Sequence, residues 1–130
     1  MTQLEAATLY IGLFGLLLLI LKLNVGRART SQKVGFGDGD NEIVQRAIRV
    51  QGNAVEDVPV VLLGLVGLAL LDAPVMLIHG FGTAFLLGRV LHAIGLGGSS
   101  GGSFGRMWGT LLSILVQLGT AGACIWFAAT

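Results

Sequence analysis

Arg46, Arg49, Asn53 and Glu56 follow one another at spacings of three, four and three residues. At 100° per residue that keeps all four within about 80° of arc on one helix face. Asp57 lies a little beyond Arg46 on the same wheel. Two cations, an amide and two carboxylates therefore form one stripe about 15 Å long. Such a stripe can close on itself as a salt-bridge lattice between packed helices, or it can hold a charged ligand. Arg89 and His92, three residues apart, and Arg106 further along add positive charge. Four arginines against two carboxylates suit an anionic ligand better than a closed lattice.

The elements that must position these groups are membrane spans. Of the 130 residues, 54% are hydrophobic and 12% charged, about half the charge content of an ordinary soluble domain. Ala6–Leu21 and Met107–Thr130 carry no charge at all. A soluble enzyme, a disulfide-held secreted scaffold and a disordered chain are thereby excluded. A net charge of +1 leaves no basic surface for nucleic acid. The lone Cys124 has no internal partner and reads as a small apolar side chain in a helix.

Hydropathy predicts an all-α membrane protein, one four-helix bundle over residues 1–130, with spans Leu4–Asn24, about Glu42–Leu71, Ala73–Gly95 and Phe104–Ala129. Glu56 and Asp57 interrupt the second span, and Arg89 and His92 the third, so these groups must face protein or water rather than lipid. The first apolar run has neither a leading basic residue nor a small-residue cleavage signal and is read as a retained helix. Lys22, Arg27, Arg29 and Lys33 are assigned to a polar loop that ends at Asp40 or Asn41, either of which can cap the second helix. The positive-inside rule puts this basic segment in the cytoplasm and both termini outside. Asp72-Ala73-Pro74 is a tight outer hairpin, and Gly95 to Ser103 returns the chain to the cytoplasmic side. Neither glycine-rich connection has the Lys-Ser/Thr of a phosphate-binding loop. Gly80, Ala84, Gly88 and His92 on the third helix, and Gly105, Gly109, Ser113 and Gln117 on the fourth, recur every four residues and allow close helix approach.

The pattern Arg46-x-x-Arg49-x-x-x-Asn53-x-x-Glu56-x-x-Pro59, followed by Gly88-Arg89-Val90-Leu91-His92 and then Arg106, resembles the membrane-associated proteins in eicosanoid and glutathione metabolism (MAPEG). The resemblance covers essentially the whole chain. It implies a homotrimer with glutathione held between neighbouring subunits at the cytoplasmic side. By motif position, Arg49, Asn53 and Glu56 look like glutathione contacts, Glu56 receiving the amino group, and His92 like a site-lining residue. Arg46 and Arg89 join this cationic group. Arg106 looks like the arginine facing the sulfur, and Arg27 or Arg29 like a basic residue lent by the adjacent subunit. The implied chemistry is a thiolate, favoured by a guanidinium, attacking a lipophilic electrophile or hydroperoxide from the bilayer.

The chain departs from better-known members at several positions. Gln51 and Gly52 precede the Asn, Leu96 replaces a tyrosine four residues after His92, and Met107 and Thr110 fall where other members place hydroxyl groups. A non-catalytic protein that binds a lipid or a partner, as in the lipoxygenase-activating branch of the family, is the competing expectation. A small proton-coupled transporter fits less well, because the polar stripe enters the membrane from one side only.

Overall fold

The computed structural model describes residues 1–98 and 101–130 and consists of four helices: α1 (Gln3–Gln32), α2 (Glu42–Leu70), α3 (Val75–Gly98) and α4 (Phe104–Ala129). All four are long and apolar enough to cross a membrane. The expected all-α class and the span count hold, and the chain is a multi-pass membrane protein. Ser99 and Ser100, in the expected third connection, lie outside the described residues.

Helix α1 starts on a capping box. The Thr2 hydroxyl accepts from the Glu5 N–H, and the Glu5 carboxylate accepts from the Thr2 N–H at 2.7 Å. It ends where Lys33 turns left-handed, at φ 57°, and donates its N–H to the carbonyls of Arg29 and Thr30. The helix thus runs about two turns past the expected end at Asn24. Lys22, Arg27 and Arg29 lie on it, not in a loop. Hydropathy reports where hydrocarbon ends, whereas the polar stretch Val25–Gln32, which has no proline, continues the helix into water until something stops it.

Asn41, rather than Asp40, caps α2, its Oδ1 accepting from the N–H groups of Ile43 and Val44 at 3.0 and 3.2 Å. Asp40 is left-handed at φ 54° and completes the turn before the cap. Pro59 lies inside α2 and removes one N–H from its hydrogen-bond ladder. After the hairpin, α3 begins at Val75, and the Leu77 N–H donates to the Pro74 carbonyl at 2.8 Å. The expected end of α3 at Gly95 is also short. The helix reaches Gly98, with Leu96 buried inside it and not in a loop. Helix α4 begins at the Ser103 cap and has its expected bounds.

Helices α2 and α3 each touch every other helix, whereas α1 and α4 share no contact among the described residues. The core is the seam of α1, α2 and α3, where the Phe14 and Phe85 rings pack tilted against each other, centroids 5.2 Å apart, beside fully buried Val58, Val61, Leu65 and Ile78. Outward-facing Leu16, Ile20, Leu63, Leu118 and Ile125 are largely exposed, as lipid-facing side chains are. The closest helix pair is α3 with α4. A Cβ at Gly109 would lie 2.6 Å from the Gly88 carbonyl oxygen, and one at Gly105 would lie 2.7 Å from the Leu91 carbonyl oxygen. The small-residue stripes therefore pack at Gly88, Gly105 and Gly109, whereas a Cβ at Gly80 would meet nothing.

Candidate functional site

The polar stripe of α2 divides into two faces. On the outer face, Arg49 Nη1 meets Glu56 Oε1 at 3.3 Å, with both side chains about 60% exposed. Between them, the Asn53 Nδ2 donates to the Arg49 carbonyl at 3.0 Å. Two turns of helix separate the ion-pair partners, so only extended side chains can meet, and an exposed pair of this length is held weakly. The three groups form a dipolar strip, cationic at one end and anionic at the other, on a helix of membrane-spanning length.

Asp57 leaves that strip. One residue on from Glu56, it is turned by about 100° and is reached by Arg89, whose Nη1 donates to Asp57 Oδ2 at 3.1 Å. Arg89 is buried, at 3% exposure. Its Nε donates to Ser113 Oγ at 2.9 Å, and Ser113 in turn donates to the Gly109 carbonyl at 2.7 Å. The guanidinium carbon sits 5.9 Å from the centre of the Phe85 ring. One side chain of α3 thus joins α2 and α4 through charge-assisted hydrogen bonds. Arg89 is expected from the sequence as a ligand contact, yet two of its nitrogens are engaged inside the subunit.

His92, one turn after Arg89, is buried at 5% exposure. It packs where α4 comes closest, since a Cβ at Gly109 would lie 2.9 Å from His92 Cα. Arg106 stands in the first turn of α4 and is half-buried. Its N–H donates to the capping Ser103 Oγ at 3.2 Å, and its Nη1 lies 3.4 Å from the Gly101 carbonyl oxygen. The Thr110 hydroxyl is engaged as a donor to the Arg106 carbonyl at 2.7 Å. Arg106, Met107, Leu111 and Ile114 line a groove of about 580 Å³, a guanidinium at one end of an apolar trough.

Arg46 and Arg27 are brought together elsewhere. They line a separate polar cavity of about 340 Å³ between α1, α2 and the end of α3, with Asn24 and Ser31. Arg46 Nη1 meets Glu42 Oε1 at 3.3 Å, and its Nε is buried with no hydrogen-bond partner. Arg29, the other candidate on α1, donates from Nε to the Gly37 carbonyl at 3.0 Å and holds the α1–α2 connection. Arg49, Asn53 and Glu56 do not line this cavity.

A further polar cluster escaped the sequence reading. The Tyr10 hydroxyl lies 3.1 Å from His79 Nδ1 and 2.7 Å from Thr83 Oγ1, and its ring packs where Gly82 has no side chain. The cluster ties the first half of α1 to the first turns of α3. The only signal in the sequence is His79 and Thr83 one turn apart on an apolar helix. Among the described residues no group of three His, Cys, Asp or Glu side chains could hold a metal ion.

This arrangement can be set beside known proteins. The profile of the MAPEG family matches residues 7–126, nearly the whole chain and all four spans. The chain is similar to the inner membrane protein YecN of Escherichia coli K12, with 35% identity over 89 residues, 68% of either chain. It is also similar to the uncharacterized protein sll1147 of Synechocystis, with 36% identity over 129 residues, covering 90% of this chain and 93% of the relative. No solved structure matches. With four spans, the polar strip on α2 and a match from residue 7 to residue 126, the chain belongs to the MAPEG family.

Proposed function

We propose that the protein is a membrane-bound glutathione-dependent transferase or peroxidase, assembled as a homotrimer in the inner membrane with the basic end of α1 in the cytoplasm. One observation carries this reading. The Arg49–Asn53–Glu56 strip stands exposed on the flank of an isolated subunit, on a helix of membrane-spanning length. Lipid cannot cover charged groups at low cost, so the strip calls for a neighbouring subunit, a polar ligand, or both. A zwitterionic amino-acid end fits the strip group for group. An ammonium replaces Arg49 at Glu56, and a carboxylate replaces Glu56 at Arg49, so a long exposed pair is exchanged for two closer charge-assisted contacts.

Arg106 is the thiol-facing cation in this reading, His92 lines the site, and Arg89 positions α2 from behind. A guanidinium beside the sulfur favours the thiolate, and the thiol proton passes to solvent. The thiolate forms a sulfur–carbon bond to an electrophile as the leaving group departs with its electron pair. With a hydroperoxide, the sulfur attacks the terminal oxygen, the O–O bond breaks to release the alcohol after protonation from solvent and leaves a sulfenic acid, and a second glutathione thiol displaces water from that sulfur to give the disulfide. The apolar groove below Arg106 suits a substrate that arrives through the bilayer.

Two experiments test the reading. Glu56→Gln should weaken glutathione binding to the reconstituted protein by about 2–3 kcal/mol, because a charge-assisted bond to the ammonium is lost. Calorimetric titration checks this, and unchanged affinity in intact trimers would remove Glu56 from the site. For orientation, a cysteine introduced at Ser31 in a Cys124→Ala background should resist a membrane-impermeant maleimide added to intact cells and react after permeabilisation. Reaction in intact cells would reverse the topology.

The second reading, a non-catalytic lipid- or partner-binding protein, draws on Leu96. It is buried in α3 and offers no hydroxyl to a ligand. Conjugation of glutathione to a model aryl halide by the purified protein separates the two.

A further inference from the structure

We propose that each subunit holds one anionic phospholipid, its phosphate between Arg27 and Arg46 and one acyl chain in the groove between α1 and α3. Within the subunit this site is separate from the Arg49–Asn53–Glu56 strip and takes a different ligand, and its test does not depend on the thiol reading.

Two cavities meet at Asn24 and Arg27 on α1. The polar one, of about 340 Å³, contains Arg27 and Arg46. The second, of about 450 Å³, is apolar and is lined by Ile20, Leu21, Leu23, Ala93 and Ile94. Asn24 and Arg27 line both. A polar chamber opening onto an apolar trough along two membrane helices has the form of an amphiphile.

Depth agrees with this assignment. About 20 helical residues cross the hydrocarbon, so counting from Leu4 puts the boundary near Asn24. Arg27 lies one turn beyond, at the level of lipid headgroups, and Ile20 one turn inside, at the level of the acyl chains.

Charge agrees as well. No acidic residue lines either cavity. Arg27 makes no ion pair or side-chain hydrogen bond among the described residues. Arg46 has one carboxylate partner, Glu42, which is 66% exposed and outside the cavity lining, while Arg46 Nε is left without a partner. Two guanidiniums sharing one chamber repel each other, and an anion between them relieves this through bidentate contacts. The Asn24 amide has no intramolecular partner among the described residues and can donate at the same rim. A free phosphate would satisfy the arginines but leave the apolar trough unused, so the phospholipid is the occupant that matches both halves.

The test is native mass spectrometry of the full-length protein released from mixed micelles of phosphatidylglycerol and phosphatidylcholine. The wild type should retain phosphatidylglycerol about tenfold over phosphatidylcholine, one molecule per subunit. Arg27→Gln with Arg46→Gln should abolish the preference, while Arg27→Lys with Arg46→Lys should keep part of it, as point charges without the planar fork. Ala93→Phe, which fills the trough and leaves the charge unchanged, should lower retention. If the double Gln protein does not fold, the Lys pair and Ala93→Phe decide the question. Equal retention of the two lipids, or a preference that survives both the double Gln change and Ala93→Phe, overturns the proposal. If millimolar inorganic phosphate displaces the lipid fully and Ala93→Phe has no effect, the site takes phosphate alone and the lipid assignment falls.

Discussion

Asp57→Ala, with Arg89 left in place, should destabilise the folded protein by about 3–5 kcal/mol, the usual result of stranding one partner of a buried ion pair. Arg89 is 3% exposed and has Asp57 as its carboxylate, 3.1 Å away. Without it, the guanidinium keeps one neutral acceptor, Ser113 Oγ, and its charge stays uncompensated in a low-dielectric interior. Asp57 is itself 33% exposed, which places the expected value toward the lower end of the range. The reverse change, Arg89→Met, should cost less, because a partly exposed carboxylate can recruit water. Asp57→Leu combined with Arg89→Met should recover much of the loss, since removing both charges together is often close to neutral. Thermal unfolding in detergent followed by tryptophan fluorescence measures all three. An Asp57→Ala protein as stable as the wild type would mean that Ser113 and the Phe85 ring suffice to hold the guanidinium, and that the pair does not lock α2 to α3.

The same pair bears on the candidate site, because Asp57 is the residue after Glu56. Anchoring Asp57 to α3 fixes the rotation of α2 about its axis. A helix so fixed presents Arg49, Asn53 and Glu56 outward together. Asp57→Ala in any surviving protein should therefore weaken thiol binding as well, whereas Arg89→Met with Asp57→Leu should restore the fold more fully than the affinity.

Much of this arrangement was legible in the sequence, for reasons that differ from element to element. The uncharged run Met107–Thr130 marks α4 as a span, because nothing in it opposes burial in hydrocarbon. The 3-4-3 spacing places Arg49, Asn53 and Glu56 on one face because helical geometry leaves no alternative. The end of α1 was not legible, because the window that finds hydrocarbon stops at Asn24 while Val25–Gln32 contains nothing to break a helix except Gly26. Asp57 was grouped with the strip on the helical wheel, since the wheel ranks angles but does not say which flank meets a neighbour. That Arg89 would reach both Asp57 and Ser113 depends on three helices packing at once. The approach is set by Gly88 and Gly109, and periodicity could indicate the closeness but not the partners. The separation of Arg46 from the strip follows from the same cause. On the wheel Arg46 stands with Arg49, but the bundle turns Arg46 toward α1 and leaves Arg49 on the outer flank.

Arg106→Ala should slow glutathione conjugation at neutral pH by about tenfold or more while leaving the assembly intact. A free thiol with pKa near 8.5 is only about 3% ionised at pH 7, and a cation that lowers this value to about 7 makes half of it thiolate. Loss of the cation therefore removes most of the reactive form. The direction fixes the pH dependence. The defect should be large near pH 7 and shrink above about pH 9, where thiolate forms without help. Arg106→Lys should recover part of the rate, because it restores the charge without the planar fork. The position tolerates replacement, since the side chain is half-buried and the cap at Ser103 uses the Arg106 backbone N–H rather than the guanidinium. Ultraviolet absorbance of the bound thiolate, titrated against pH in wild type and both variants, reads the ionisation directly, and turnover with an aryl halide reads its consequence. Unchanged titration and unchanged turnover in Arg106→Ala would make this arginine an anchor for the start of α4, with its Nη1 near the Gly101 carbonyl as the contact that matters, and would favour the non-catalytic reading of the protein.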